Sequence, residues 1–384
     1  MQLAFTIMAA VCALLAVAGA AYFALCVWAA GRFLRASKTA TPLDFEPPVS
    51  VMKSLKGLDP QMYAAFRSHC LLDYGQFEIL FGASDADEPA LELVQRLQRE
   101  FPQRQIRVVH CPQSLGLNGK VSTLAQMVRQ AKYEHILIND SDIMAPPDYL
   151  RRVMSLLADE RVGMVTSLYR GLAGQTLPSK LEALGLSTDF TGGVLVAREM
   201  EGGMRFALGA TMATTKTVLG AIGGLEALAD YLGDDYELGA RTAAAGYRVE
   251  LADVVVETAL PDYTFGEFWA HQMRWARNVR DRRRAQYFGL MVTFGLAWGI
   301  LAVLIAPQAW WTWAALTMVA VSRMTAAVVI GLGVVKDPYV LRDLWLVPVR
   351  DFAGLGVWVA SFAGNEIEWR GLRFRVRNGK LQQR

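Results

Sequence analysis

Three acidic pairs carry most of the chemistry that can be read from this chain. In HILINDSDI, Asp140 and Asp142 follow a short apolar run. Side chains two apart in an extended segment point the same way, so this pair suits a hard divalent cation of the kind that also binds substrate phosphates. FGASDADEP places Asp85 and Asp87 after an earlier apolar run, and LGDDYELG sets Asp234 and Asp235 between glycines. One carboxylate of such a pair can take a proton from an attacking hydroxyl. Each pair alone also fits a polar turn or a helix N-cap. MKSLKG adds Lys53 and Lys56, and GLNGK adds Lys120, cations suited to an anionic ligand. Metal-binding carboxylates, lysines and a base together point to a nucleotide-diphosphate substrate whose phosphate leaving group departs with metal assistance.

The elements that must position these groups follow from the hydrophobic pattern. From Val49 to about Leu260, the runs VSVMK, FEILFGA, IRVVH, HILIND and VGMVTSLY alternate with longer mixed segments. That alternation predicts an α/β domain with a mainly parallel sheet, whose ligand site lies beyond the carboxyl ends of its strands. Hydrophobic residues make up 53% of the chain and mean hydropathy is +0.24, values that call for membrane segments. Residues 1–31 read as an N-terminal transmembrane anchor and 32–48 as a linker. Residues 49–285 form the α/β domain, and 286–335 two transmembrane helices with Pro307 between them. Residues 336–384 hold a segment with Arg350 and Asp351, charges costly at mid-bilayer, and a basic tail, RGLRFRVRNGK. The charged segment is expected to be re-entrant or interfacial, and the basic tail to lie in the cytoplasm. Arg32, Arg35 and Lys38 after the anchor place the α/β domain on the cytoplasmic side. The four cysteines form no CxxC pair, so neither a zinc site nor a disulfide framework is expected.

The stretch HQMRWARNVRDRRR, from His271 to Arg284, precedes the second membrane region. A net charge of only +3 excludes nucleic acid as the partner, since that needs a broad basic surface. The arginine-rich second half reads as a charge cluster holding the next membrane helix in place.

Taken in order, SVMKSLKGLDP, SDADEP, INDSDI, IGG followed by GDDYELG, and the RW of HQMRW resemble the ceramide glucosyltransferase-like family. This is glycosyltransferase family 21, related to family 2. DSDIMAPPDYLRRVMSLLADERVGMVTSLYRG is similar to its bacterial branch, the hopanoid-associated glycosyltransferases. The resemblance implies a GT-A fold (a Rossmann-like nucleotide-diphospho-sugar transferase domain) with transmembrane helices. It implies a UDP-sugar donor carrying N-acetylglucosamine or glucose, an inverting mechanism, and a lipid acceptor, a hopanoid such as bacteriohopanetetrol or else ceramide. The place implied is a bacterial inner membrane, crossed more than once. By the same resemblance Asp235 is the general base, and Asp140 with Asp142 binds Mg2+ or Mn2+. Lys53, Asp85, Lys120, Asp140, Arg274 and Trp275 face the nucleotide sugar, with Asp234, His271 and Gln272 supporting the acceptor or the base. The family's (Q/R)xxRW motif begins here with His271, and Gln272 follows one place later. That departure leaves the contact at 271 open. Leu177 to Met212 reads as an acceptor wall facing the membrane. A non-catalytic membrane scaffold with a degenerate transferase domain is the rival reading from another class.

Overall fold

The computed structural model describes residues 2–39, 44–369 and 371–383. Met1, residues 40–43 of the expected linker, Arg370 of the tail, Arg384 and the side chains of Lys38 and Thr39 lie outside them. The apolar runs become strands β1 (Val49–Ser54), β2 (Phe77–Ala83), β3 (Gln105–His110), β4 (His135–Asn139), β5 (Ile143–Met144), β6 (Val162–Leu172), β7 (Met212–Thr215) and β8 (Arg248–Ala259). They form one 8-stranded sheet in the order β3-β2-β1-β4-β7-β6-β8-β5. The sheet is mainly parallel, as expected, with β7 reversed between β4 and β6 and β5 reversed at the edge beside β8. Alternation along β1 explains its two buried faces: Val49 and Val51 enter one core, and Met52 enters another. Such double burial suits the β-branched and aliphatic composition of β1, β2 and β4.

Among the described residues, four helices are long and apolar enough to cross a membrane: Gln2–Ser37, Arg284–Ile305, Trp310–Val334 and Tyr339–Ser361. The N-terminal helix does not stop at residue 31. It continues to Thr39, into the segment read as a linker, with Arg32 paired to Glu199 at 3.1 Å. It packs closely on the next membrane helix, where a Cβ at Gly19 would lie 2.6 Å from the Cα of Gly295. Small residues permit such close helix approach in lipid.

Asp351 and Arg350, the two charges singled out after residue 336, are turned inward and paired. Asp351, 4% exposed, accepts from the Arg323 guanidinium at 3.0 Å. Arg350 Nη2 donates to Gln272 Oε1 at 3.2 Å, and its Nε lies 3.6 Å from Asp189. The tail is ordered rather than a plain basic extension. β9 (Glu366–Trp369), β10 (Leu372–Arg377) and β11 (Lys380–Gln383) form an antiparallel sheet in which Phe374 and Val376 turn inward and the arginines of β10 outward. This small sheet folds back onto the α/β domain. Its core takes in Leu117 and Leu232, and the Leu381 amide donates to the Asp230 carbonyl at 2.7 Å.

Candidate active site

The carboxyl ends of β1 and β4 lie side by side, and the loops after them bring most of the expected groups together. β4 ends at Asn139, whose buried side chain is fixed by the Tyr149 hydroxyl at 2.9 Å and by His69 Nε2 at 3.3 Å. The turn that follows presents Asp140 and Asp142. Lys53, near the end of β1 and fully buried, donates to the Asp140 main-chain oxygen at 3.0 Å. Burial pulls the Lys53 ammonium down to about 7, against the pull of Asp142 and Asp140.

Lys120 comes from the next element. Asn118 caps the helix Gly119–Gln130 by accepting from the Val121 amide at 3.2 Å. Its amide nitrogen also donates to the Tyr231 carbonyl at 2.7 Å, which ties this loop to the segment leading into Asp234. Lys120 Nζ then bridges Asp140 Oδ1 at 2.7 Å and Asp234 Oδ2 at 3.1 Å. Burial works against its charge, but Asp140 and Asp234 overcome it and hold the ammonium well above its ordinary value.

Asp234 and Asp235 open the helix Asp234–Ala244, where the helix dipole favours negative charge. Asp235 Oδ2 accepts from the Gly209 amide at 3.0 Å, and Oδ1 from the Tyr236 amide at 2.7 Å. Burial first, and Asp234 second, push its carboxyl up to about 6. Asp142 is also pushed up to about 6, by burial and by Asp140, although Thr258 donates to its Oδ2. A Cβ added at Gly209 would sit 3.1 Å from Asp140 Oδ2 and 3.4 Å from Asp235 Oδ2. Gly209 therefore stands between the two carboxylates whose roles were expected to be metal ligand and base.

Among the described residues no group of three or more His, Cys, Asp or Glu side chains is placed to hold a metal. Asp140 and Asp142 still fit a Mg2+-like ion, which takes one or two carboxylates and completes its shell with water and substrate phosphates. The Lys120 ammonium already occupies a cation's place beside Asp140.

Other expected residues lie apart from this cluster. Asp85 is exposed after β2 and paired to Lys56 at 3.0 Å, a contact that holds its carboxyl below the usual range. The helix Phe265–Arg282 carries the arginine–tryptophan motif, and its Thr264–Glu267 capping box fixes its start. Arg274 lies 5.9 Å from the centre of the Trp369 ring and lines a cleft of about 270 Å³ with Trp269, Arg277, Glu368 and Arg373. Trp275 turns to a different face and meets Phe190 at 5.8 Å and His271 at 5.5 Å. Gln272 is held at both ends, donating to Glu182 at 2.6 Å and accepting from Arg350.

Several site residues were not anticipated. Tyr169, on β6, has its hydroxyl driven well above its ordinary value by burial, then by Asp235, Asp140 and Glu182. Tyr263 is raised likewise by burial and by Glu182. Glu182 is 2% exposed. Tyrosines and one glutamate within a largely apolar segment give no local signal, because their partners are far away in sequence. Asn118 did have one, since Asn directly before Gly-Lys at a helix start is an N-cap pattern.

Comparison with known proteins identifies the family and the fold. A family model described as "Glycosyl transferase family 21" matches residues 10–382. "Ceramide glucosyltransferase 1" of Caenorhabditis elegans is 28% identical over 191 residues, 50% of this chain and 41% of that protein. A ceramide glucosyltransferase of Komagataella phaffii is 29% identical over 113 residues, 28% of this chain and 22% of that protein. The chain thus aligns with less than half the length of these curated relatives. A mannosyltransferase from Pyrobaculum calidifontis, solved with GDP-Man and Mn2+, superposes with a TM-score of 0.55 at 20% identity, covering 93% of this chain and 99% of that one. The likeness shows the fold, and it is the GT-A fold expected from the sequence.

Proposed function

This chain belongs to glycosyl transferase family 21, and from that premise we propose that it moves a sugar from a UDP-sugar to a hydroxyl of a membrane lipid. The sugar is N-acetylglucosamine or glucose, and the anomeric carbon is inverted. The observation that carries this reading is the gathering of Asp140, Asp234 and Asp235 around Lys120, with Asp142 beside Asp140, in a chain whose described residues include four helices able to cross a membrane. The hopanoid reading of the acceptor rests on the sequence likeness around Asp140–Gly171. Ceramide is the second reading, favoured by the names of the curated relatives.

In the mechanism, the acceptor hydroxyl approaches the anomeric carbon and gives its proton to Asp235. The new carbon–oxygen bond forms as the bond to the diphosphate breaks and UDP leaves. Lys120 is the cation that the acidic cluster offers to the departing diphosphate, and such preorganised charge is worth a few kcal/mol; Arg274, expected to share that role, lines a separate cleft. A divalent cation, Mg2+ or Mn2+, would be held by Asp140 and Asp142 and would add positive charge at the same place. EDTA is therefore expected to stop UDP release, and added Mn2+ or Mg2+ to restore it. An undiminished rate in EDTA would remove the metal from the scheme.

The base also sets a pH limb. With its carboxyl pushed up to about 6, Asp235 accepts a proton only above that pH. The logarithm of kcat/KM for UDP release should be flat above it and fall about tenfold per unit below it. A rate still level at pH 5 would contradict the assignment.

The family resemblance favours a bacterial inner membrane, and the charges after the N-terminal helix favour a cytoplasmic α/β domain. The small tail sheet packs on the α/β domain, so both share one side of the membrane. An even number of crossings must then separate them. Of the helices Arg284–Ile305, Trp310–Val334 and Tyr339–Ser361, one must stay on that side. The last, which packs on Trp269 of the amphipathic helix through Gly356, suits an interfacial position. Arg32 and Arg35, after the N-terminal helix, favour the cytoplasm.

The direct test of function is UDP release by the purified, detergent-solubilised protein, supplied with UDP-glucose or UDP-N-acetylglucosamine and a polyhydroxylated hopanoid or ceramide. Lipid-dependent release is expected with one pair. Release with none would favour a scaffold.

A further inference from the structure

Glu182 is a buried carboxylate that the transfer scheme leaves unused. It lies in the helix Leu177–Gly185, at 2% exposure. Oε2 accepts from Gln272 Nε2 at 2.6 Å, and Oε1 lies 3.4 Å from His271 Nδ1. That imidazole nitrogen is closed off from solvent and makes no hydrogen bond, although a buried polar atom ordinarily has a partner. The His271 side chain as a whole keeps 20% of its surface exposed. Its ring stacks on Tyr263 at 5.8 Å and 21°, and meets Trp275 at 5.5 Å. His271 and Trp275 are one helical turn apart and share a face.

Two tyrosines connect this group to the reacting carboxylates. Tyr169 feels Asp235, Asp140 and Glu182 together, and Tyr263 feels both Glu182 and Asp142. Tyr169 also packs on Phe190, which packs on Trp275. A run of ring contacts, Tyr169 to Phe190 to Trp275 to His271, thus leads from the tyrosine that feels Asp235 to the Glu182–His271 pair. Gln272 cannot serve there, because Glu182 and Arg350 hold its two ends.

Resting on the proposed transfer to a lipid hydroxyl, we propose that Glu182 and His271 form a positioning pair for the acceptor. Glu182 orients the imidazole through Nδ1, and the ring's other nitrogen, Nε2, hydrogen-bonds the hydroxyl-bearing head of the lipid beside the hydroxyl that reacts. The chemical class recognised is a polyol or amide–polyol head, whose O–H or N–H donates to Nε2 while the Nδ1–H faces the Glu182 carboxylate. The histidine at the start of the arginine–tryptophan motif is then a specificity element for the acceptor, not a contact to the donor.

The test uses the full-length protein in detergent, with a polyhydroxylated hopanoid and ceramide as acceptors in parallel. Glu182→Gln, His271→Ala and His271→Gln are compared with wild type, varying acceptor and donor separately. Glu182→Gln and His271→Ala are expected to raise the acceptor KM roughly tenfold, the scale of one lost hydrogen bond in a closed site, with the UDP-sugar KM unchanged. His271→Gln, which keeps a donor and an acceptor at that position, should recover most of the loss. His271 is the more exposed partner, so its variants test the idea even where Glu182→Gln folds poorly. An unchanged acceptor KM in both His271 variants, or equal rises in donor and acceptor KM, would overturn the pair while leaving the transferase reading intact. Wild-type protein that transfers sugar to neither lipid would overturn the transferase reading first, and the pair with it.

Discussion

Asp235→Asn is expected to lower turnover by roughly 10²–10⁴-fold, the usual contribution of a positioned general base, while UDP binding persists. The side chain keeps its size and its place at the start of the helix Asp234–Ala244. It loses the ability to take a proton. The amide also meets one conflict, since both Asp235 oxygens accept from backbone amides, those of Gly209 and Tyr236, and Asn has only one oxygen to offer. A modest loss of thermal stability should therefore accompany the kinetic loss. The nucleotide contacts offered by Lys120 and Asp140 are untouched by the change. Single-turnover UDP release measures the chemistry, and UDP-induced thermal stabilisation measures the binding. A variant with full activity would remove Asp235 from the role of base. A variant that also loses UDP binding would mean that the helix start, not the proton, was disturbed.

The second large effect is structural. Arg323 lies 1% exposed among the membrane helices. Its Nε is 3.2 Å from both Asp351 oxygens, and its Nη2 is 3.0 Å from Asp351 Oδ1 and also pairs with Asp189. The guanidinium further sits over the Phe23 ring at 5.2 Å, so one side chain joins the N-terminal helix, the helix Trp310–Val328 and the helix Val347–Ser361. Arg323→Met leaves Asp351 buried without its partner, and breaking a buried pair this way costs about 3–5 kcal/mol. The expected result is a clearly lower thermal midpoint in detergent. Adding Asp351→Asn to Arg323→Met should recover part of the loss, because removing both charges is far cheaper than stranding one. An Arg323→Met protein that melts like wild type would show that the pair carries no structural weight.

The residues of the site were legible where the signal is local. Asp140 and Asp142 follow an apolar run that reads as a buried strand, and Asp234 and Asp235 open a helix with glycine before them. Lys53 near the end of β1 is a signal of the same kind. The bridging role of Lys120 was not legible, since its carboxylates lie 20 and 114 places away in sequence. The same holds for Glu182 and Tyr169, which matter through partners on other elements. Arg350 and Asp351 were read as a cost to burial in the bilayer. That cost is met by Arg323, Asp189 and Gln272, pairings that no local pattern reveals. The tail was read from its charge as a basic extension, whereas the alternation in LRFRVR, with Phe374 and Val376 inward, was a visible strand signal that the arginines masked. Its docking against Leu117 and Leu232 joins the tail to the α/β domain.

The most direct test of the central claim is mass spectrometry of total lipids from cells that make the protein and from cells that lack it, with the Asp235→Asn variant returned to the latter. The account predicts a lipid bearing one added hexose or N-acetylhexosamine that is present with the wild-type chain and absent both without it and with the variant. Identical glycolipid profiles in all three would contradict it.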